Sequence, residues 1–174
     1  MPGQPFSVPF QPLATRDCAG EALPQPYRAL LEHDRDLTPT LEAHHQSPLH
    51  IRVLQSEQPG KSYHRRVVLI TAEGRAVSQG EIEIHLDRLP SPIVDHVLAG
   101  KKPLGGILRD ERFPHQSRPQ AFFALDSTPD LESMFGFTGP AVLYGRRNHL
   151  LTADGEVFAE VLEILAPSDS LPPP

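Results

Sequence analysis

Little in this 174-residue sequence suits a disulfide framework, a membrane span or a nucleic-acid surface. A single cysteine, Cys18, can form no internal disulfide and cannot furnish a zinc cage, which predicts a reduced, cytoplasmic setting. Tryptophan is absent, and no apolar run approaches the roughly 18 residues that a membrane span requires. The N-terminus, MPGQPFSVPF, lacks the basic-then-apolar order of a secretory signal. Against 22 Asp and Glu stand only 16 Lys and Arg, a formal charge of −6. The dense positive field needed for general binding of nucleic acid or an anionic membrane is therefore missing. An anionic ligand would have to be caught by a few placed arginines.

At 39% hydrophobic residues, the chain is long enough for one domain with a sizeable core and too short for two of ordinary size. Proline is plentiful, 20 in all, with six before Tyr27 and four in the last eight residues. Proline removes a backbone donor, so both ends resist hydrogen-bonded structure, and the organisation predicted is a tail at 1–24, a domain at 25–167 and a tail at 168–174. Phe6, Phe10 and Leu13 give the first tail some apolar weight with which to lie on the domain surface.

From Tyr27 the sequence YRALLEHDRDLTPTLEAHH predicts a helix, a break at Asp36–Pro39 and a second short helix, with Thr38 as its cap and Pro39 at its first position. After Pro48, LHIRVLQSE and YHRRVVLITAEGRAVSQGEIEIHL read as strands, with a hairpin turn at Glu73-Gly74. Alternation of Ile82, Ile84 and Leu86 with Glu81, Glu83 and His85 predicts one buried and one wet face. PSPIVDHVLAG reads as a helix with Ile93, Val94, Val97 and Leu98 inward and Gly100 closing it. KKPLGGIL predicts a turn into another short helical piece. Between about 109 and 138, prolines break the pattern, and only QAFFAL reads as a strand. AVLYGRRNHLLT and EVFAEVLEIL, joined at Asp154-Gly155, predict a second hairpin. The sum is an α+β domain in which a single antiparallel sheet is covered by helices on one face.

Several residues could carry chemistry. Arg65 and Arg66 are neighbours on a strand, so one faces the core and one faces outward, and an inward guanidinium needs a carboxylate from a side chain or a ligand. Glu160 and Glu163 are three apart on an apolar strand, which puts them on opposite faces and buries one of them. Leu104-Gly105-Gly106, at a turn before a helix-like stretch, allows main-chain N–H groups to approach an anion, although most such turns only connect helices. Gly145-Arg146-Arg147 reads more readily as a basic strand edge than as a site. Nine histidines are present, but His44, His45 and His50 have no ligand spacing, so no metal is expected. There is no nucleophile elbow, phosphate-binding glycine loop or dinucleotide fingerprint, and no base is placed for Cys18.

Taken in order, LLEHDRDLTPTLE, YHRRVVLITAEGRAVSQGEI, GKKPLGGIL and LYGRRNHLLTADGEVFAEVLEILAP resemble the chorismate lyase family, also called chorismate pyruvate-lyase or 4-hydroxybenzoate synthase. The likeness covers roughly 27–167. It implies a chorismate lyase-like fold and a cofactor-free carbon–oxygen lyase that eliminates pyruvate from chorismate to give 4-hydroxybenzoate for quinone biosynthesis. By the same resemblance, Arg66 clamps the substrate carboxylate, the N–H groups of Leu104 and Leu37 complete the anion pocket beside Gly105, and Glu163 faces the ring hydroxyl. The expected partners are the small substrate and the aromatic product, with no nucleic acid, no membrane span and a monomeric chain. The sequence departs from the family in having Gly106 where an arginine is common, and in a longer, Pro- and Phe-rich segment at 109–138 that should help to cover the pocket.

Two other readings compete with the lyase. The same fold resembles the effector-binding domains of some transcription regulators, which makes a non-catalytic module for small aromatic acids the alternative. Those domains normally follow a winged helix, and the roughly 26 residues before this domain are too few for one. An enzyme with an altered substrate is the third reading, suggested by the 109–138 segment.

Overall fold

A computed structural model describes residues 13–168. In chain order the elements are β1 (Thr15–Cys18), α1 (Tyr27–Leu31), α2 (Leu37–His45), β2 (Leu49–Glu57), β3 (Ser62–Thr71), β4 (Ala76–His85), α3 (Ser91–Ala99) and α4 (Leu104–Asp110). There follow β5 (His115–Asp126), α5 (Pro129–Phe135), β6 (Val142–Thr152) and β7 (Val157–Leu165). The strands form one sheet in the order β1-β5-β6-β7-β4-β3-β2, antiparallel throughout. Two three-stranded meanders, β2-β3-β4 and β5-β6-β7, thus join along β4 and β7. This is the single antiparallel sheet expected.

Both predicted hairpin turns form, and each needs its glycine: Gly74 has φ of 87° and Gly155 of 85°, in the left-handed region. α1 to α4 pack on one sheet face, called here the inner face. There Leu30, Leu31, Leu37 and Leu41 meet Leu49, Leu69 and Leu165. Ile93, Val97, Ile107 and Leu108 cover Val67, Ile82, Ile84 and Val161. On α3, Leu98 is exposed instead of facing inward with Ile93 and Val97.

Other details differ from the sequence reading. α2 begins one residue after Asp36, not after Thr38, because Thr38 is buried where α2 meets α4: a Cβ on Gly105 would stand 3.3 Å from it. Within the span read as the N-terminal tail, β1 pairs with the end of β5 and Leu23 enters the core. The segment between Pro12 and Pro24 has all its N–H groups, so nothing in it opposes a strand. The rest of that tail, 1–12, and residues 169–174 lie outside the described residues.

The 109–138 segment packs Phe113 against the inner-face cluster and brings His115 and Ser117 to Asp36 and Asn148. It supplies β5 and α5, and α5 packs on the reverse face, where Leu131 and Phe135 meet Phe123, Leu125, Leu143 and Ile164. That packing, with its neighbours, leaves Gln79 and Glu81 only 3% and 4% exposed, so the reverse face of β4 is not the wet face its alternation predicts.

Candidate ligand cavity

Between the inner face and the starts of α2 and α4 lies a small cavity of about 50 Å³ that opens to solvent at its mouth. Its floor is set by register. Arg65, Ile82, Val161 and Asn148 form one row across β3, β4, β7 and β6, and Val67, Gly80, Glu163 and Arg146 form the next. Asp36, Leu37 and Thr38 border it from α2, and Pro103, Leu104 and Gly105 from α4. Ile51, Leu69 and Leu150 add to a predominantly apolar wall. Gly80 makes room on the floor: an added Cβ would meet only Val67 at 3.6 Å and the Leu162 carbonyl at 3.9 Å.

Arg65 is fully buried. Nη2 donates to the Lys102 carbonyl at a long 3.5 Å, and Nε and Nη1 have no hydrogen-bond partner among the described residues. Burial pulls its pKa down to about 10, so the side chain is still a cation at neutral pH. A buried guanidinium whose Nε and Nη1 hydrogens are unpaired suits a carboxylate at either of its two edges, with Nη2 as the second donor.

Glu163 is differently placed. Arg146 Nε donates to its Oε2 at 2.6 Å, and Arg146, fully buried, also donates to the carbonyls of Leu31 (3.1 Å), His33 (3.0 Å) and Arg35 (2.9 Å). Burial raises the proton affinity of Glu163, and the adjacent guanidinium opposes that rise. Arg146 thereby pins the α1–α2 connection to the sheet.

Asp36 is bound to His115, with Oδ2 and Nε2 2.6 Å apart, while its Oδ1 is buried without a partner among the described residues. This contact raises the pKa of His115. Asn148 Nδ2 donates to Ser117 Oγ at 2.8 Å, Ser117 Oγ donates to the Arg35 carbonyl at 3.2 Å, and Asn148 Oδ1 is a second buried acceptor without a partner.

The structure brings Leu37, Leu104, Gly105 and Glu163 together around this cavity, and it separates Arg66 from them. Arg66 faces the reverse side, opposite Glu81 on β4, in a depression beside α5. The carry-over of the carboxylate clamp to Arg66 is corrected for that reason: strand alternation turns Arg65 inward. Glu160, the other acid of β7, faces the reverse side and lies 3.4 Å from His149. The G-R-R segment is no mere basic edge, since Arg146 is the most heavily bonded side chain near the cavity. Arg147 points to the other face, over Phe123 and 3.0 Å from Asp17. Asp36, His115 and Asn148 were not marked by sequence motifs, and Arg146 was marked only within a segment read as a basic strand edge. The signal available for Arg146 was its strand parity relative to Glu163.

No family model matches the sequence, and no curated protein does. The fold has solved counterparts. PhnF from Mycobacterium smegmatis superposes with a TM-score of 0.60 at 10% identity, covering 79% of this chain and 66% of that one. Its effector domain alone gives 0.56 at 9% identity, with 76% and 89% covered. The ligand-binding domain of a GntR-family transcriptional regulator from Bordetella bronchiseptica gives 0.52 at 12% identity, with 67% and 85% covered. YydK from Bacillus subtilis, a transcriptional regulator by its description, gives 0.53 at 10% identity, with 74% and 61% covered. The chain thus spans about two thirds of PhnF and less of YydK.

These likenesses establish the fold, a single antiparallel sheet of the chorismate lyase-like kind shared with regulator ligand-binding domains. The expectation of an enzyme is corrected against them: the counterparts named are regulator domains, not lyases. Glu163 lines the cavity with its Oε2 held by Arg146. Among the described residues no helix is long and apolar enough to cross a membrane.

Proposed function

We propose that this chain is a non-catalytic, effector-sensing domain whose cavity holds a small organic acid of aromatic size. The observation that carries the reading is Arg65: a fully buried guanidinium, with Nε and Nη1 unbonded, bordering a cavity whose walls are mostly apolar. A buried cation without a partner is costly, and a ligand carboxylate is the complement that removes the cost. The N–H groups of Leu37 and Leu104, at the starts of two helices that border the cavity, complete the anion pocket, and Gly105 keeps α4 close to α2. Ile82, Leu150 and Val161 supply the apolar contact that a ring requires.

The regulator domains of this fold favour sensing over turnover, since their described role is to bind ligands or effectors. The test is thermal denaturation of the intact chain with benzoate, hydroxybenzoates and uncharged benzamide, beside the Arg65→Met variant. The acids raise the melting temperature of the wild type, benzamide does not, and Arg65→Met abolishes the response. Chorismate incubated with the chain releases no pyruvate. An equal response of wild type and Arg65→Met, or steady release of pyruvate, overturns the reading.

A further inference from the structure

We infer that Asp36 selects among acids for this cavity, by accepting a hydrogen bond from a neutral hydroxyl or amino group that the ligand carries besides its carboxylate, and that His115 is its positioning residue. The inference rests on the reading of the cavity as a carboxylate site and adds which carboxylates it takes.

Asp36 stands in the wall between the cavity and a surface groove lined by Arg35, His115 and Ser117. Its two oxygens are used differently. Oδ2 meets His115 Nε2 at 2.6 Å, and Oδ1 is buried and unpartnered. His115 Nδ1 lies 2.8 Å from the Phe113 carbonyl, which can only accept, so that nitrogen carries a proton. Nε2 faces a carboxylate and carries the other. A neutral imidazole has one N–H, so the pair as built is an imidazolium with a carboxylate. The ring is also packed edge-on against Phe158, with centroids 6.3 Å apart. His115 therefore fixes the rotation of the Asp36 carboxylate and leaves Oδ1 to be satisfied by something else.

Charge decides what that is. Arg146 balances Glu163, and His115 balances Asp36, so among the described residues Arg65 is the unbalanced charge in the lining. A ligand with a single negative charge neutralises it. An ammonium group would leave the occupied cavity positive, and a second carboxylate would face Asp36 directly, so the group opposite Oδ1 is a neutral donor. Asn148 Oδ1, also buried and unpartnered, is a further acceptor for such a ligand. The class is a monoanionic carboxylic acid bearing a hydroxyl or an aromatic amine.

The test measures dissociation constants of the intact chain for benzoate, the three hydroxybenzoates, 4-aminobenzoate and the methyl ethers of the hydroxybenzoates. At least one hydroxy- or aminobenzoate binds about tenfold or more tightly than benzoate and than its methyl ether, the worth of one hydrogen bond to a charged acceptor. In Asp36→Asn, His115 takes the amide oxygen and the amide N–H₂ faces the ligand, so the hydroxy-to-methoxy preference falls to about one, or inverts, while benzoate affinity changes little. His115→Phe lowers the same ratio, and His115→Gln, which still offers an N–H to Asp36, restores most of it. A purely structural role for Asp36 would weaken all these ligands together.

The inference is overturned if benzoate binds as tightly as every substituted acid, or if Asp36→Asn keeps the preference. If either of these results comes with benzoate binding that Arg65→Met abolishes, only the role of Asp36 falls. If no benzoate derivative binds the wild type, the carboxylate site falls with it.

Discussion

Replacing Arg146 by Met should be among the most damaging single changes near the cavity. Arg146 is fully buried and donates four hydrogen bonds, one to Glu163 and three to the carbonyls of Leu31, His33 and Arg35. Met fills similar space but leaves a buried carboxylate without its cation, a change that costs about 3–5 kcal/mol. Against a typical domain stability of roughly 5–15 kcal/mol, this removes a large share. At roughly 2–4 °C per kcal/mol for a chain of this size, melting falls by about 12 °C. Adding Glu163→Met to Arg146→Met removes the stranded charge and returns about 1–2 kcal/mol, so the two changes are far from additive.

A pH dependence accompanies this. Burial already raises the proton affinity of Glu163, and without Arg146 nothing opposes it. The folded variant then binds a proton more readily than the unfolded chain, so its deficit narrows as pH falls from 8 to 5. Glu163→Met abolishes that narrowing. Denaturant unfolding of the four proteins at the two pH values checks this. A melting change below about 3 °C in Arg146→Met, or no recovery in the double variant, refutes the reasoning.

Gly145→Ala should destabilise by about 2–3 kcal/mol in denaturant unfolding, because its Cβ would collide with the Glu163 carbonyl and the Phe123 ring. Gly80→Val should leave stability within about 1 kcal/mol, since its first carbon meets only ordinary contacts, yet lower ligand affinity by filling the cavity floor, as read by calorimetry. His115 has a raised pKa when folded, through its bond to Asp36. The stability it contributes is fully present below the ordinary histidine pKa and is lost as pH rises through the raised one. The stability gap between wild type and His115→Phe should therefore shrink between pH 6 and pH 9 in urea titrations.

Strand parity was the part of this fold most legible in the sequence. The alternation of β2, β3, β4 and β7 gave their bounds closely, and the separation of Glu160 from Glu163 follows from their odd spacing. Parity also showed that only one of Arg65 and Arg66 faces inward, but it could not say which, because both are followed by the same apolar run and the reverse face of β4 is buried as well. The resemblance pointed to Arg66, which faces the reverse side. α5 escaped although its signals are local: Thr128 caps it through Leu131 N–H at 3.3 Å, Pro129 opens it and Gly136 closes it at φ 73°. Five phenylalanines among nearby prolines concealed that pattern. The Asp36–His115 pair joins residues 79 apart in sequence, and Arg146 reaches carbonyls 111 to 115 residues away. Nothing local marks such contacts. They exist only once β5 and β6 are in register beside the α1–α2 connection.

The account depends most on the buried, partly unpaired guanidinium of Arg65, and calorimetric titration of the intact chain with hydroxybenzoates, wild type beside Arg65→Met, tests it directly. Saturable binding at one site per chain, weakened about thirtyfold or more in the variant as expected for loss of a charge-assisted hydrogen-bonded pair, is the predicted result. Heat-silent titration of the wild type with every acid, or equal affinity in Arg65→Met, would contradict it.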